Sequence, residues 1–140
     1  MVEKIIIKGR GTVKGMVEGE ALVSKTHIHT FGVDTKTGLI SETGHPQFGA
    51  SIKGKVLVFP SPAGSSDWGT TFYETFRNGN GPIALINRRA TTLVLNGAIA
   101  TSTPMVVDFD TDPCEAIKTG DWVKVNADDG ILEVTRSNKR

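Results

Sequence analysis

Cysteine is almost absent from this chain, in which Cys114 is the only one among 140 residues. A single cysteine excludes an internal disulfide, and it cannot by itself hold an iron–sulfur cluster, which takes several thiolate ligands. Long apolar runs are also missing, so no membrane span is expected. The first residues show no signal-peptide architecture. We therefore expect a cytoplasmic protein.

An excess of charge of either sign is missing as well. Sixteen basic and fifteen acidic residues give a formal net charge of +1, and no basic block precedes the last few residues. Electrostatic capture of nucleic acid or of a membrane surface is therefore not expected. The length fits one compact domain, residues 1–140, that is large enough to bury a core without disulfides or metals.

One stretch predicts a strand, a loop and a helix in succession. The apolar run at residues 55–59 is typical of a buried strand, and Pro60 ends it because proline has no N–H to donate to a sheet. Aromatic residues then recur every fourth position, which predicts a helix with one apolar face: Trp68, Phe72 and Phe76. Asn78-Gly79 supplies the stop, and Asp67 is expected in the first turn of the helix.

The loop between this strand and this helix contains Gly64, Ser65 and Ser66. Helix N-terminal amides and serine hydroxyls together can bind a carboxylate, a phosphate or a developing oxyanion. The alternative is that the two serines only cap the helix. No Gly-Lys-Ser/Thr sequence follows the glycine, so a nucleotide-binding P-loop is not expected.

A second apolar run at residues 83–86 follows the helix and predicts a parallel strand–helix–strand unit. Arg88 and Arg89 come directly after this strand. Ligands gather at the carboxyl ends of parallel strands, and an arginine can hold a carboxylate or phosphate with two hydrogen bonds. We expect Arg88 to contact substrate, whereas solvated surface charge is the alternative for at least one of the two arginines.

The three histidines are candidate functional groups. His27 and His29 would share one face of a strand, but a metal needs further ligands and only His45 remains, so no metal site is predicted. His45 stands beside Pro46 in a glycine-bounded loop, where it could act as an acid, a base or a hydrogen-bond donor next to substrate. The alternative is a rigid turn.

The remaining patterns are shorter. Strands are predicted at residues 5–7, 21–23, 39–40 and 103–107, with a glycine-rich connection of short strands and tight turns between the first two. A helix is predicted over residues 91–100, ending near Asn96-Gly97. Alternating residues around Asp128-Asp129-Gly130 predict a hairpin with Val123 and Val125 on one face. Residues 135–140 are expected to form a frayed basic tail.

Several motifs together resemble the small, swivel-type subunit of the aconitase X family, over nearly the whole chain. They are Gly9-Arg10, residues 18–24 (EGEALVS), Gly32-Val33-Asp34 with Thr37-Gly38, residues 54–60 (GKVLVFP), Gly64-Ser65-Ser66, Gly97-Ala98-Ile99 and Thr119-Gly120-Asp121. The resemblance implies an α/β fold, a swivelling β/β/α domain with a mixed sheet or barrel and few helices. It also implies a larger partner subunit that carries an iron–sulfur cluster.

The resemblance further implies a hydro-lyase that dehydrates a small hydroxy acid, either cis-3-hydroxy-L-proline or 5-phosphomevalonate. Deprotonated Ser65 would be the general base. Gly64, Ser66, His45 and Arg88 would be substrate-binding residues, and this chain would bind no cofactor alone. The competing hypothesis is a non-catalytic module that binds a partner or an anionic metabolite.

Overall fold

The computed structural model describes residues 3–29, 32–64 and 67–137. Ten strands and three helices lie in this part of the chain. The strands are β1 (Lys4–Lys8), β2 (Arg10–Val13), β3 (Met16–Val23), β4 (Ile28–His29), β5 (Val56–Phe59), β6 (Pro62–Ala63), β7 (Ala84–Asn87), β8 (Met105–Val107), β9 (Trp122–Asn126) and β10 (Ile131–Thr135). The helices are α1 (Trp68–Arg77), α2 (Thr92–Thr101) and α3 (Pro113–Ala116).

Eight strands form one mixed sheet in the order β1-β10-β9-β3-β5-β7-β8-β2, and β4 pairs with β6 separately. The central strands β3, β5, β7 and β8 are parallel, whereas the flanking pairs are antiparallel. The two edge strands are joined by Gly9 alone, so the sheet must curl until its edges approach each other. The described strands do not close into a barrel, and the predicted α/β mixed-sheet fold is confirmed in its open form.

The alternation of side chains along the central strands divides the core in two. Val56 and Val58 pack in one cluster with residues of the antiparallel strands, on the inner side of the curled sheet. Leu57 and Phe59 point to the opposite face and join the cluster that contains residues of α1 and α2. The predicted parallel unit β5-α1-β7 is therefore confirmed, with both faces of its strands buried.

The two long helices approach closely at two glycines. A Cβ on Gly97 would lie 3.1 Å from the backbone oxygen of Gly69, and a Cβ on Gly69 would lie 3.3 Å from the backbone nitrogen of Gly97. Gly97 therefore lies inside α2, which continues to Thr101. The prediction that this helix ends near Asn96-Gly97 is wrong, because the glycine permits helix packing and does not act as a stop.

The short strand predicted in the glycine-rich connection is β2, which pairs with β8 far away in the sequence. Two further predictions are corrected. Leu39 and Ile40 form only isolated bridges, to Ser51 and Val33. The described part of the predicted frayed tail, residues 135–137, is held by hydrogen bonds, because Arg136 Nε donates to Glu3 at 2.7 Å and the Ser137 amide donates to Asp121. The hairpin of β9 and β10 is confirmed, with both valines buried.

Candidate functional site

Parallel strands β5 and β7 end side by side, and the candidate site lies where they end. Phe59 is the register partner of Asn87, so the residues that follow each strand emerge at the same edge of the sheet. The Arg88 amide donates to the Pro60 carbonyl at 3.0 Å and fixes the two connections to each other. This edge is where ligands commonly bind in open α/β sheets.

A cleft of about 200 Å³ opens at this edge, and we call it the arginine cleft. His27, Pro60, Ser61, Arg88 and Arg89 line it. His27 reaches it because β4 pairs in parallel with β6, which follows Ser61 directly. His27 Nδ1 lies 2.9 Å from Ser61 Oγ, and this hydrogen bond holds both side chains at the wall of the cleft.

Arg88 is held by an ion pair at the start of α3. Its guanidinium lies 2.9 Å from an Asp112 carboxylate oxygen, and the same carboxylate accepts the Cys114 amide as the cap of the helix. The hydrogen bond that Arg88 donates to Asp112 raises the pKa of Arg88, so this side chain stays charged. Its orientation is thus set by the protein, although 43% of the side chain remains exposed.

Arg89 differs from its neighbour. It is exposed, and it forms no salt bridge with any described residue, so its positive charge is available to a ligand. Asp108 is nearby. The pKa of Asp108 is lowered first by its hydrogen bond from Arg10, then by the Ala90 amide and by the charges of Arg10 and Arg89.

Asp108 fixes the segment that carries Arg88 and Arg89 through hydrogen bonds. Its amide donates to the Arg88 carbonyl at 3.2 Å, and its carboxylate accepts the Ala90 amide at 3.3 Å. Arg10 of β2 binds the same carboxylate at 2.6 Å. Asp108 has φ +55°, a left-handed conformation that costs energy for most residues but is tolerated by aspartate.

Two buried acceptors near this edge lack a described hydrogen-bond partner. Asn87 is fully buried, and its amide group donates to the Phe59 and Ile86 carbonyls while Oδ1 has no partner among the described residues. Thr91 Oγ1 is also buried and has no hydrogen-bond partner among the described residues. Unpaired buried acceptors are uncommon, and these two lie at the last residue of β7 and directly before α2, at the edge of the candidate site.

The serine loop leaves β5 at the same edge. Gly64 has φ +102°, a conformation that favours glycine, and α1 begins at Trp68. Ser65 and Ser66, the predicted catalytic and substrate-binding serines, lie outside the described residues. Asp67 is the residue that precedes the helix and not part of its first turn, which corrects the sequence expectation.

His45 lies in a different environment. It is only 6% exposed, and its Nδ1 accepts the Gln47 amide at 3.0 Å. The proton is therefore on Nε2, which lies 3.2 Å from Ser24 Oγ and 3.3 Å from Thr26 Oγ1. His45 does not line the arginine cleft. Its role in substrate binding stays a prediction, while the hydrogen bonds give it a structural one.

Cys114 does not have the properties of a cluster ligand. It is fully buried. Burial, followed by the charge of Asp112, raises the pKa of its thiol to about 11, whereas metal ligation requires thiolate. Within residues 3–29, 32–64 and 67–137, no group of three acidic, histidine or cysteine side chains could hold a metal.

No described helix has the length and apolarity needed to span a membrane.

Sequence reasoning placed Arg88 and Gly64 at this edge but missed His27, Ser61 and Arg89 as a group. β4 and β6 are two residues long, so their pairing leaves no periodic signal. The sequence alone does not distinguish Arg89 from Arg88. In the structure they differ because Arg88 forms an ion pair with Asp112, and no local sequence pattern predicts that contact.

Comparison with known proteins agrees with this architecture. The sequence profile of the Aconitase X swivel domain matches residues 6–134. The phosphomevalonate dehydratase small subunit of Methanosarcina acetivorans is 41% identical over 133 residues, 94% of this chain and 92% of that protein. The corresponding protein of Methanocella arvoryzae is 42% identical over 130 residues, 92% of this chain and 98% of that protein.

A solved structure gives the same result in three dimensions. A chain of the crystal structure of Thermococcus kodakaraensis aconitase X in its holo-form matches with a TM-score of 0.87 and 39% sequence identity. The match covers 93% of this chain and 98% of that one. The resemblance read from the sequence motifs is confirmed, and the chain belongs to the aconitase X swivel-domain family.

Proposed function

We propose that this chain is the small subunit of a cytoplasmic hydro-lyase that dehydrates 5-phosphomevalonate together with a separate large subunit. The observation that carries the proposal is the full-length similarity to phosphomevalonate dehydratase small subunits, at about 40% identity over more than nine tenths of both chains. Between the two substrates expected from the sequence, the names of these relatives favour the phosphorylated hydroxy acid over cis-3-hydroxy-L-proline.

The geometry of the sheet edge supports an anionic substrate. The arginine cleft offers two guanidinium groups, which can donate hydrogen bonds to phosphate or carboxylate oxygens, and the hydrogen-bonded pair of His27 and Ser61, which keeps a further donor for a ligand. Asp112 and Asp108 are already paired with Arg88 and Arg10, whereas Arg89 forms no salt bridge with any described residue and interacts with Asp108 only at longer range. A dianionic substrate would be attracted to this edge and oriented there.

The proposed chemistry is removal of a proton from the carbon next to the substrate carboxylate, followed by loss of hydroxide from the adjacent carbon. Ser65 would take the proton. A serine hydroxyl is a very weak acid, so its alkoxide must be stabilised by nearby N–H dipoles and positive charge. The first amides of α1 have no intrahelical partners, and Arg88 and Arg89 follow the strand next to the one that leads into the serine loop.

An iron–sulfur cluster would be held by the large subunit. This chain has one cysteine, and that cysteine is a buried thiol, so its residues do not fit such a group. The contribution of this chain is to bind and orient the anionic substrate and to place Ser65. The large subunit would also close over the sheet edge at which β5 and β7 end.

The test is reconstitution. The chain and its large subunit would be co-expressed under anaerobic conditions, purified as a complex, and assayed for water loss from 5-phosphomevalonate and from cis-3-hydroxy-L-proline. We expect turnover of the phosphorylated substrate by the complex and none by the chain alone. A preference for hydroxyproline would overturn the substrate. A chain that binds no large subunit and adds nothing to its turnover would instead support the non-catalytic module.

A further inference from the structure

The arginine cleft has donors suited to a terminal anionic group. Its volume of about 200 Å³ is large enough for a phosphate. Phosphate presents three terminal oxygens and takes bidentate hydrogen bonds from guanidinium groups. The cleft contains two such groups on consecutive residues, Arg88 and Arg89.

We propose that the arginine cleft binds the phosphate of a phosphorylated hydroxy acid, with Arg89 as the principal cation and with Arg88 and the hydrogen-bonded pair of His27 and Ser61 as further donors. This inference rests on the proposed function and assigns one end of the substrate to named residues. The serine loop, which follows Ser61 along the chain, is left for the carboxylate end, where the proton is removed.

The division of work between the arginines follows from their ion pairs. Asp112 fixes Arg88 and offsets its charge, so Arg88 contributes orientation and the N–H groups that Asp112 leaves open. Arg89 forms no salt bridge with described residues, and it keeps most of its charge for a ligand. The Asp108 carboxylate faces Arg89 at longer range, but it is bound to Arg10 at 2.6 Å.

The wall opposite the arginines is also fixed. His27 Nδ1 is bonded to Ser61, whose carbonyl lies 3.3 Å away and whose hydroxyl lies 2.9 Å away, and Nε2 has no described partner. His27 itself is exposed. The imidazole is thus oriented by one nitrogen and retains the other for a ligand, which is the arrangement expected of a preformed anion site.

The substitution Arg89→Gln tests the assignment in the assembled enzyme. It should raise the KM for 5-phosphomevalonate about 10- to 100-fold, the loss expected for one charged hydrogen-bonding contact of about 1.5–3 kcal/mol. Turnover of mevalonate, which has the same carbon skeleton without the phosphate, should change little. Arg89→Lys should fall between, because lysine keeps the charge but loses the bidentate geometry. Arg77→Gln removes an exposed arginine at the far end of α1 and serves as the matched control.

A second measurement does not depend on turnover. The isotope-labelled full chain would be titrated with inorganic phosphate at constant ionic strength, and amide shifts would be followed by NMR. Shifts concentrated at His27, Ser61, Arg88 and Arg89, lost in Arg89→Gln and retained in Arg77→Gln, support the site even if the complex proves inactive on phosphomevalonate. Equal behaviour of the two variants, in KM or in the titration, would overturn it.

Discussion

Two histidines of this chain lie beside serine hydroxyls, in opposite surroundings. His45 is buried, and both of its ring nitrogens are within hydrogen-bonding distance of groups in the same chain. His27 is exposed at the arginine cleft, with one ring nitrogen bonded to Ser61. A buried ring with satisfied nitrogens stabilises the fold, whereas an exposed ring with an open nitrogen is available to a ligand.

The two histidines thus mark two parts of the molecule, a structural side around His45 and a proposed ligand side around the arginine cleft. The proline next to His45 signalled a rigid histidine, but rigidity does not give access to substrate. The ligand side comprises the cleft and the serine loop at the carboxyl ends of β5 and β7. Substitutions there should change kinetics with little effect on stability, and substitutions around His45 should do the opposite.

Ser65→Ala should have the largest effect on the ligand side. If Ser65 is the general base, turnover of the reconstituted enzyme should fall by about 10²–10⁴-fold, the usual contribution of such a group. Folding and subunit association should be nearly unchanged. The measurement pairs kcat for phosphomevalonate with the thermal midpoint of the same complex.

Ser66→Ala is the neighbouring comparison for this experiment, and because Ser66 is predicted to bind substrate, its effect is expected on KM more than on kcat. If Ser65 is only a helix cap, its substitution should lower stability by about 0.5–2 kcal/mol and leave turnover almost unchanged. A loss of stability with unchanged turnover would refute the catalytic assignment of Ser65. The serine loop would then have a structural role.

Local patterns were sufficient for much of the fold. The β5-α1-β7 unit and the β9–β10 hairpin were predictable because their apolar spacing and turn residues lie close together in the sequence. The bounds of β2 and its pairing with β8 were not predictable, since the two strands lie far apart in the sequence. The prediction of a helix stop at Gly97 failed for the same reason, because the contact of Gly97 with Gly69 depends on tertiary packing.

The site was predictable only in part, for a related reason. Gly64 and Arg88 come after short apolar runs that are typical of buried strands, so their position at a sheet edge could be inferred from the runs themselves. His27 reaches the cleft through two strands of two residues each. The contrast between the two arginines depends on Asp112, 24 residues further along the chain, and no local pattern indicates that contact.

Substitution of the two histidines tests the comparison directly. His45→Ala should lower the free energy of unfolding by about 1–3 kcal/mol, because it leaves the Gln47 amide without its acceptor and removes the contact of the buried ring with the Ser24 hydroxyl. His27→Ala should change stability by about 0.5 kcal/mol or less, as expected at an exposed position. Urea unfolding of the full chain measures both values.

The kinetic readout should show the reverse order. His27→Ala should raise the KM for phosphomevalonate, and His45→Ala, assayed well below its midpoint, should not. If His45→Ala raises KM without loss of stability, the buried ring contacts substrate after a rearrangement. The division into a structural side and a ligand side would then be wrong.

Asp108→Asn should have a smaller effect, because the substitution removes a charge and keeps a residue that tolerates the left-handed conformation. The Arg10–Asp108 pair is partly exposed, so the loss at neutral pH should be at most about 1 kcal/mol. The folded state lowers the pKa of Asp108, so its charge stabilises the fold above the ordinary carboxyl pKa, about 3.9.

This stabilisation is lost as the pH falls through the lowered pKa of the folded state. The difference in thermal midpoint between wild type and Asp108→Asn should therefore be constant from pH 7 to about pH 5 and should shrink below about pH 4. Thermal scans across this range provide the measurement. A difference that grows on acidification would show that Asp108 is not held as the carboxylate by Arg10.

Cys114 should have the smallest effect on activity, although it lies beside the ion pair that holds Arg88. Its thiol pKa of about 11 exceeds the 8.5 of an unfolded cysteine, because burial and the charge of Asp112 oppose the thiolate more than Arg88 favours it. At pH 8 the native chain should thus react with iodoacetamide at least about a hundredfold more slowly than the unfolded chain, as followed by mass spectrometry. Cys114→Ala in the reconstituted enzyme should retain the wild-type iron content and turnover. Loss of iron in that variant would show that Cys114 of α3 is a cluster ligand. The proposal that the large subunit holds the cluster without this chain would then be wrong.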